Sequence, residues 1–273
     1  MPIRITSNIA SINAQRNMGK NQSGMNTALE RLSSGYRINR AGDDAAGLAI
    51  SEKLRSNIRA LTRASTNASD GIGMVQVAEG AMSEIHEMLV RMKELAAQAA
   101  TGTVGTTERG YLNLEYQQLR TEITRIADST KFNETLLING SLNVKIQIGL
   151  SSGSADSITI SISDVDATSL SLTSSISTVT NALLAMNTST TAVGTVAQRR
   201  AYLGATQNRL ESVISNIDNV VENLTAAESR IRDVDIAKET ADLTKYNILV
   251  QAGVSVLTQA NQSPQIAIAL LQG

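Results

Sequence analysis

Apolar residues recur at every seventh position along two long stretches of this chain. In the first stretch this spacing starts at Leu54. A second row of apolar or small residues lies three positions after each member of the first row from Leu61 onward. The first row is Leu54, Leu61, Ala68, Val75, Met82, Leu89 and Ala96, and the second is Ala64, Gly71, Ala78, Ile85, Met92 and Ala99. Heptads sustained over this length are typical of coiled-coil-like helices. We therefore expect one helix from Asp44 to about Ala100, roughly 85 Å long at 1.5 Å per residue.

Three glycines lie near the middle of this predicted helix. Gly71, Gly73 and Gly80 each lower helix propensity by about 1 kcal/mol relative to alanine. Two interpretations stay open: the helix breaks near residues 71–73, or the small residues let a neighbouring helix approach closely.

The second heptad stretch lies in the C-terminal half of the chain. Its rows are Leu203, Leu210, Ile217, Leu224 and Ile231, with Val213, Val220, Ala227 and Val234 as companions. A shorter amphipathic helix is expected from Glu108 to Asp128, with Tyr116 and Ile123 on its apolar face. The predicted fold class is mainly α, a long coiled-coil-like helical bundle formed by both chain halves, with a small β-hairpin region in the middle.

Between the two heptad stretches the period of the apolar residues changes to two. "NVKIQI" places Val144, Ile146 and Ile148 opposite the isoleucines of "SITISIS", which predicts a β-hairpin near residues 143–163. The sequence that follows is rich in Ser and Thr, and we expect a loop near residues 164–195 that contains at most one short helix near Val179 to Met186.

Both ends of the chain are amphipathic. Ile9 and Ile12 open a first helix that Gly35 is expected to stop, and a C-terminal helix carries Leu249 and Val256. Because isolated helices are marginal in water, the two ends are expected to pair. That pairing brings together two charged stretches, "RINRAGDDAAGLAISEKLR" from Arg37 and "AAESRIRDVDIAKE" from Ala226. Their charges serve either as helix caps and solvated faces or as contacts with other chains.

Composition excludes several classes of function. The formal net charge of −1 argues against nucleic-acid binding, no apolar run reaches the roughly 20 residues of a membrane span, and the chain has no Cys. His86 is the only histidine, and Val90 stands where a zinc-protease helix needs its second His. We expect no cofactor, no metal and no enzyme activity. The N-terminal stretch has no Sec-type signal, which taken alone favours a cytoplasmic protein.

Several segments closely resemble bacterial flagellin. They are "LSSGYRINRAGDDAAGLAIS", "NASDGIGMVQVAEGAMSEI", "LGATQNRLES" and "NLTAAESRIRDVDIAKE", and both termini are similar to the terminal regions of that family. The resemblance implies that residues 1–42 and 235–273 pair as the inner core of a filament, with residues 43–234 as a helical bundle around it. The middle is too short for the outer domains of longer flagellins, so the chain resembles a short form with core and shell only.

The resemblance also implies site residues. The charged stretches would lie at subunit boundaries, and the interface candidates are Arg37, Arg40, Asp43, Asp44, Arg230, Arg232, Asp233 and Asp235. "LVRMKELAAQ" and "LNLEYQQL" resemble segments that animal flagellin receptors bind. Carried over by position, Arg91, Leu95 and Glu115 are the receptor-contact candidates, against the alternative of an ordinary solvated helix face.

The partners implied by the resemblance are sibling subunits in a homopolymer, the flagellar export apparatus, an export chaperone on the C-terminal helix, and the filament cap and hook-junction proteins. Export through the flagellar channel needs no cleaved signal, so the resemblance replaces the cytoplasmic expectation with a secreted, extracellular one.

Three other functions compete with that of a filament subunit. A hook–filament junction protein has similar ends, but the match through "AESRIRDVDIAKE" favours flagellin. An enzyme would need a catalytic domain inserted at residues 140–195, where the sequence is short and chemically plain. A coiled-coil adaptor stays possible from the heptads alone.

Overall fold

The structure is a computed structural model that describes residues 7–173 and 175–271, with side chains as far as Gln262. Helices dominate this part of the chain, and the mainly α class is confirmed. In chain order the elements are α1 (Ile9–Ser34), α2 (Ala45–Ala100), α3 (Thr106–Ser129), β1 (Lys131–Phe132), β2 (Thr135–Leu136), β3 (Leu142–Gln147), β4 (Ser157–Ile162), α4 (Val179–Arg232) and α5 (Ile236–Leu271).

The chain divides into two compact units. Unit 1 is drawn from both ends of the chain, up to Ser56 and from Asn223 onward, and unit 2 is Asn57–Glu222. These units divide the chain at other positions than the predicted filament domains, residues 1–42 with 235–273 and residues 43–234. The domain prediction concerns which residues lie inside a filament, and it stays a prediction.

The heptad rows of α2 form the centre of unit 2. From Leu61 onward each predicted apolar heptad position in α2 is at most 7% exposed, and α2 is one continuous helix without a break at residues 71–73. The apolar face of α3 packs into the same core through Tyr116 and Ile123, both fully buried. Periodic burial therefore organises this unit, as the spacing predicted.

Gly71 is the position where α2 needs a small residue. A Cβ atom built on Gly71 would collide with Cδ1 of Ile146 in β3, and Cδ1 of Leu210 in α4 lies 3.4 Å from the same point. A close approach therefore occurs at Gly71, where it is made by a strand more than by a helix, but not at Gly80, where a Cβ atom would meet nothing within 4 Å.

The predicted β-hairpin is present as β3 and β4. The strands are antiparallel and pair Leu142 with Ile162, Val144 with Ile160, and Ile146 with Ile158. The prediction placed Ile148 opposite one of these isoleucines. In the structure Leu142 is paired instead, and Ile148 lies just past the end of β3. Alternate residues of β4 are buried, which matches the period-two pattern of a half-buried strand.

The loop predicted for residues 164–195 is wrong in its second half. A helix does begin at Val179, where a short helix was expected, but α4 continues past Met186 as far as Arg232. The first turns of α4 bury small side chains at helical spacing, and these are Ala182, Ala185, Ser189, Ala192 and Val196. Thr190, Thr191 and Thr195 donate their hydroxyls to backbone carbonyls four residues earlier. Packing in unit 2 therefore overrides the weak helix propensity of Ser and Thr.

A buried arginine closes the turn between α2 and α3. Arg109 is 6% exposed, and its guanidinium donates to the backbone oxygens of Ala99 at 2.7 Å, Val104 at 2.8 Å and Thr101 at 3.4 Å. The last carbonyls of a helix have no intrahelical partner and carry partial negative charge. Arg109 satisfies the carbonyl of Ala99 in this last turn, and its bonds to Thr101 and Val104 tie the connecting turn to α3.

In unit 1, α1 packs against α5, as the amphipathic ends predicted. The Asn8 amide donates to the Ala260 carbonyl at 2.8 Å, and the Ser11 hydroxyl donates to Asn261 Oδ1 at 2.9 Å. Gly35 ends α1 with a φ of 76°, a left-handed conformation that suits glycine. The predicted stop at Gly35 is therefore confirmed.

The burial in α4 gives a stability prediction with its own control. Ile217 is 4% exposed, whereas Val220 of the same helix is 38% exposed. Ile217→Ala should lower the free energy of unfolding by about 2–5 kcal/mol, and Val220→Ala should change it far less. Leu224, which is half-buried, should give an intermediate loss. Urea unfolding followed by circular dichroism measures all three, and equal effects at Ile217 and Val220 would contradict the assignment of the core face.

A second prediction compares two glycines of α2. Alanine at either position raises helix propensity by about 1 kcal/mol. A Cβ atom at position 80 would have no other atom within 4 Å, so Gly80→Ala should raise the melting temperature. Gly71→Ala should lower it, because overpacking against Ile146 costs about 1–3 kcal/mol. Stabilisation by both substitutions would show that the hairpin does not press on α2.

Candidate functional site

The two charged stretches meet in unit 1 through backbone hydrogen bonds. The Arg37 N–H donates to the Arg232 carbonyl at 2.6 Å, and the Val234 N–H donates to the Gly35 carbonyl at 3.1 Å. These bonds form an isolated antiparallel bridge between Tyr36 and Asp233. The Arg37 guanidinium also donates to the Ile231 carbonyl. The predicted meeting of the two stretches is therefore observed, and backbone groups rather than opposite charges make the first link.

Three of the four candidate carboxylates bind backbone N–H groups near them in sequence. Asp44 Oδ1 accepts from the Gly47 N–H at 2.8 Å and caps α2, and Asp235 Oδ1 accepts from the Lys238 N–H at 3.1 Å and caps α5. Asp43 Oδ2 accepts from the N–H groups of Arg40 at 3.0 Å and Asn39 at 3.1 Å. These two bonds, the one from Arg40 first, hold the pKa of the Asp43 carboxyl below its ordinary value.

Two candidate arginines form ion pairs within unit 1. Arg40 binds Glu30 with two hydrogen bonds of 3.0 and 3.1 Å, but both side chains are well exposed. Arg232 binds Glu52 at 2.8 Å while its own side chain is only 13% exposed. Its guanidinium also lies 4.6 Å from the centre of the Tyr36 ring, within cation–π range. The side chain of Arg232 is therefore held more firmly than that of Arg40, since ion pairs between exposed side chains contribute little to stability.

Sequence reasoning missed the partners of these charges. Glu30, Glu52 and Tyr36 were not singled out, and neither was the pair of Arg31 with Glu239 at 3.7 Å, in which Glu239 is largely buried. Glu239 ends the second charged stretch, and Arg31 lies six residues before the first one. The predicted pairing of α1 with α5 was the available signal that such flanking charges lie close together.

Two candidates keep their side chains exposed. Within the part of the chain that the structure describes, the side chains of Arg230 and Asp233 make no hydrogen bond or ion pair. The site thus contains both kinds of charge that the sequence left open: most carboxylates cap turns and helices, and two side chains stay available.

The receptor-contact candidates lie in unit 2. Arg91 Nε donates to Glu115 Oε1 at 2.8 Å, and Arg91 also binds Glu94 at 3.2 Å. The bond to Glu115, followed by that to Glu94, raises the pKa of the Arg91 guanidinium. Leu95 is 1% exposed and belongs to the core, so only Arg91 and Glu115 present surface here.

The described residues contain no cluster of His, Asp or Glu side chains arranged to hold a metal ion. His86 lies half-buried in α2. Across the same described part of the chain, no helix combines the length and the apolar character that a membrane crossing requires.

Unit 1 exposes many apolar side chains along its helix pair. Those more than half exposed are Ile9, Ile12, Ile236, Ile248, Val254 and Val256, and Ile50 near the start of α2 is exposed to a similar extent. Within α1 the buried residues are the small ones, Ser11 and Ala28. Paired helices with capped, charged connections and exposed apolar faces are typical of a helical structural protein that packs against further chains.

Comparison with known proteins identifies the family. The family model for the bacterial flagellin N-terminal helical region matches residues 5–144, and that for the bacterial flagellin C-terminal helical region matches residues 186–271. The chain is 48% identical over 272 residues to a flagellin of Halalkalibacterium halodurans, covering 98% of this chain and 99% of that one. This chain belongs to the bacterial flagellin family, whose members are structural proteins.

Two further comparisons agree with this assignment. Over 287 residues the chain is 40% identical to the flagellar filament 33 kDa core protein of Treponema phagedenis, covering 98% and 99% of the two chains. The crystal structure of Bacillus cereus flagellin superposes with a TM-score of 0.51 at 30% identity, covering 60% of this chain and 94% of that one. The expected resemblance to flagellin is confirmed.

The lowered pKa of Asp43 gives a pH prediction. Because the folded pKa is depressed, the charged carboxylate stabilises the fold at pH above its ordinary value of about 3.9. That contribution should disappear as the pH falls through the depressed folded pKa. A carbon-detected NMR titration of the Asp43 carboxyl should give a midpoint below about 3.9 in the folded protein and near it in urea. A folded midpoint at or above the urea value would contradict the bonds from Asn39 and Arg40.

Proposed function

We propose that this chain is a structural subunit that is exported from the bacterial cell and polymerises into the helical filament of the flagellum, where it serves motility. The similarity over nearly the full length of a flagellin and of a filament core protein supports this function. The structural observation that carries it is the apolar surface of the α1–α5 pair.

A pair of helices has a single seam in which to bury apolar side chains. Ile9 and Ile12 on α1 and Ile248, Val254 and Val256 on α5 are each more than half exposed outside that seam. Burying such a side chain contributes about 1.5–3 kcal/mol. Neighbouring chains that cover both helices would gain this energy at every subunit, and a head-to-tail contact that does not close on itself produces a helical polymer.

The charged candidates divide into two roles under this proposal. Asp43, Asp44 and Asp235 shape the connections of unit 1, and Arg40 and Arg232 are paired within the chain. The exposed side chains of Arg230 and Asp233 are the strongest candidates for contacts with neighbouring subunits. Residues 1–42 with 235–273 would then form the inner core, and residues 43–234 the surrounding bundle.

Further partners belong to the same proposal. They are the export apparatus, an export chaperone that binds the C-terminal helix, the filament cap and hook-junction proteins, and animal receptors at Arg91 and Glu115, whereas the buried Leu95 is a core residue. The working location is the extracellular filament. A hook–filament junction protein is not better supported, because the near full-length relatives described above carry the names of a flagellin and a filament core protein.

Seeded assembly watched by electron microscopy tests the proposal. The purified full chain should form tubular filaments. The double variant Ile248→Ser, Val256→Ser removes two exposed apolar side chains of α5, and it should raise the critical concentration by more than about tenfold, since each tenfold step corresponds to about 1.4 kcal/mol.

The matched control is Asn247→Ser, Gln251→Ser, which changes exposed polar residues of the same helix. Its critical concentration should stay close to that of the unmodified chain, and both variants should keep the helical circular dichroism spectrum. Failure of the unmodified chain to form filaments from flagellar seeds would overturn the proposal. Equal assembly of both double variants would show that this face of α5 is not an interface.

A further inference from the structure

The turn between β2 and β3 contains the one Asn–Gly dipeptide of the sequence, Asn139–Gly140. Asn139 Oδ1 accepts two hydrogen bonds from Ser141, one from the backbone N–H at 3.2 Å and one from the hydroxyl at 2.5 Å. The first bond identifies the accepting atom as oxygen, because a backbone N–H can only donate. The side-chain amide of Asn139 is therefore held by two donors aimed at its oxygen.

The neighbouring backbone nitrogen is open to react with this amide. Gly140 has a φ of 81° and no Cβ, and the backbone hydrogen bonds among the described residues do not include its N–H. Gly140 and Ser141 are exposed, so water reaches the turn. A nucleophile adjacent in the chain, an electrophilic amide and two donors at its oxygen thus lie within three consecutive residues.

We propose that Asn139 is a modification site, at which the folded protein converts the side-chain amide spontaneously to a carboxylate through a cyclic imide. The Gly140 nitrogen gives its proton to water and bonds to Cγ of Asn139, and the Ser141 donors stabilise the negative charge that forms on Oδ1, as donors in an oxyanion hole do. The bond from Cγ to the side-chain nitrogen breaks, and that nitrogen takes up a proton and leaves as ammonia. Water then opens the five-membered ring at either carbonyl and yields aspartate or isoaspartate, without oxidation or reduction.

Aspartate or isoaspartate at position 139 would disturb the residues that pack around the turn. The Val165 N–H donates to the Ile138 carbonyl at 3.1 Å, and a Cβ on Gly140 would lie 2.8 Å from Cβ of Asp164. A carboxylate at position 139 therefore adds a second negative charge close to Asp164. Isoaspartate also inserts a methylene into the backbone just before β3, where Leu142 is 3% exposed. Accumulated isoaspartate should lower the melting temperature of unit 2.

Ageing of the purified full chain in mildly alkaline buffer tests the proposal. Peptide mapping by mass spectrometry should find a gain of about one dalton, the change from amide to carboxyl, together with isoaspartate at position 139. Asn133 is the internal control, because it lies in another exposed turn and has a φ of 46°, but Glu134 follows it. Conversion at Asn139 should be at least about tenfold faster than at Asn133, since only Asn139 is followed by an unhindered nitrogen.

Variants at Ser141 distinguish the effect of the folded turn on the conversion rate from the intrinsic reactivity of the Asn–Gly dipeptide. Ser141→Ala should slow the native conversion by about tenfold, and Ser141→Thr, which keeps a hydroxyl donor, should restore it. A synthetic peptide of residues 135–145 should convert no faster than the native chain and should be indifferent to Ser141→Ala. A native chain that keeps its Asn139 amide while the peptide converts would overturn the proposal. A native rate unchanged by Ser141→Ala would also overturn it.

Discussion

Burial of the α2 heptad rows is the constraint on which unit 2 depends. Met82, Ile85, Leu89 and Met92 are fully buried, and each such side chain contributes about 1.5–3 kcal/mol when it leaves water. The chain has one Phe and no Trp, so aliphatic contacts take the place of the aromatic packing found in many cores. Small members of the rows, such as Ala68 and Ala78, allow the neighbouring elements to approach α2 closely. The hairpin, α3 and α4 are all arranged around this one helix face.

Much of this architecture follows from the sequence because periodicity reports directly which face of an element is buried. The heptads predicted α2 almost to its last residue, and the period-two pattern predicted the β3–β4 hairpin. The stretch of α4 that follows Met186 escaped prediction, since Ser189 and Thr191 have low helix propensity and only the packing of unit 2 decides their conformation. Arg109 escaped too, because a bond between a side chain and helix-end carbonyls leaves no periodic trace.

The charged stretches of unit 1 were predictable in part. Asp44 and Asp235 follow local capping rules, so short-range sequence identifies them. The pair of Arg232 with Glu52 joins distant parts of the chain, and nothing in the spacing of either residue points to the other. The charge in these stretches therefore serves both local caps and links between the two chain ends. Of the interface candidates, Arg230 and Asp233 keep side chains that the described contacts leave without a partner.

The contact of Gly71 with Ile146 restricts which amino-acid substitutions these two positions can accept. A larger residue at position 71 meets Cδ1 of Ile146, and a smaller residue at position 146 would leave space beside a glycine in the middle of a long helix. Each change alone harms packing, but the two together restore the filled volume. Substitution at these positions should therefore be correlated among descendants of this chain. The contact between the helix and the hairpin thus limits which substitutions either element accepts alone.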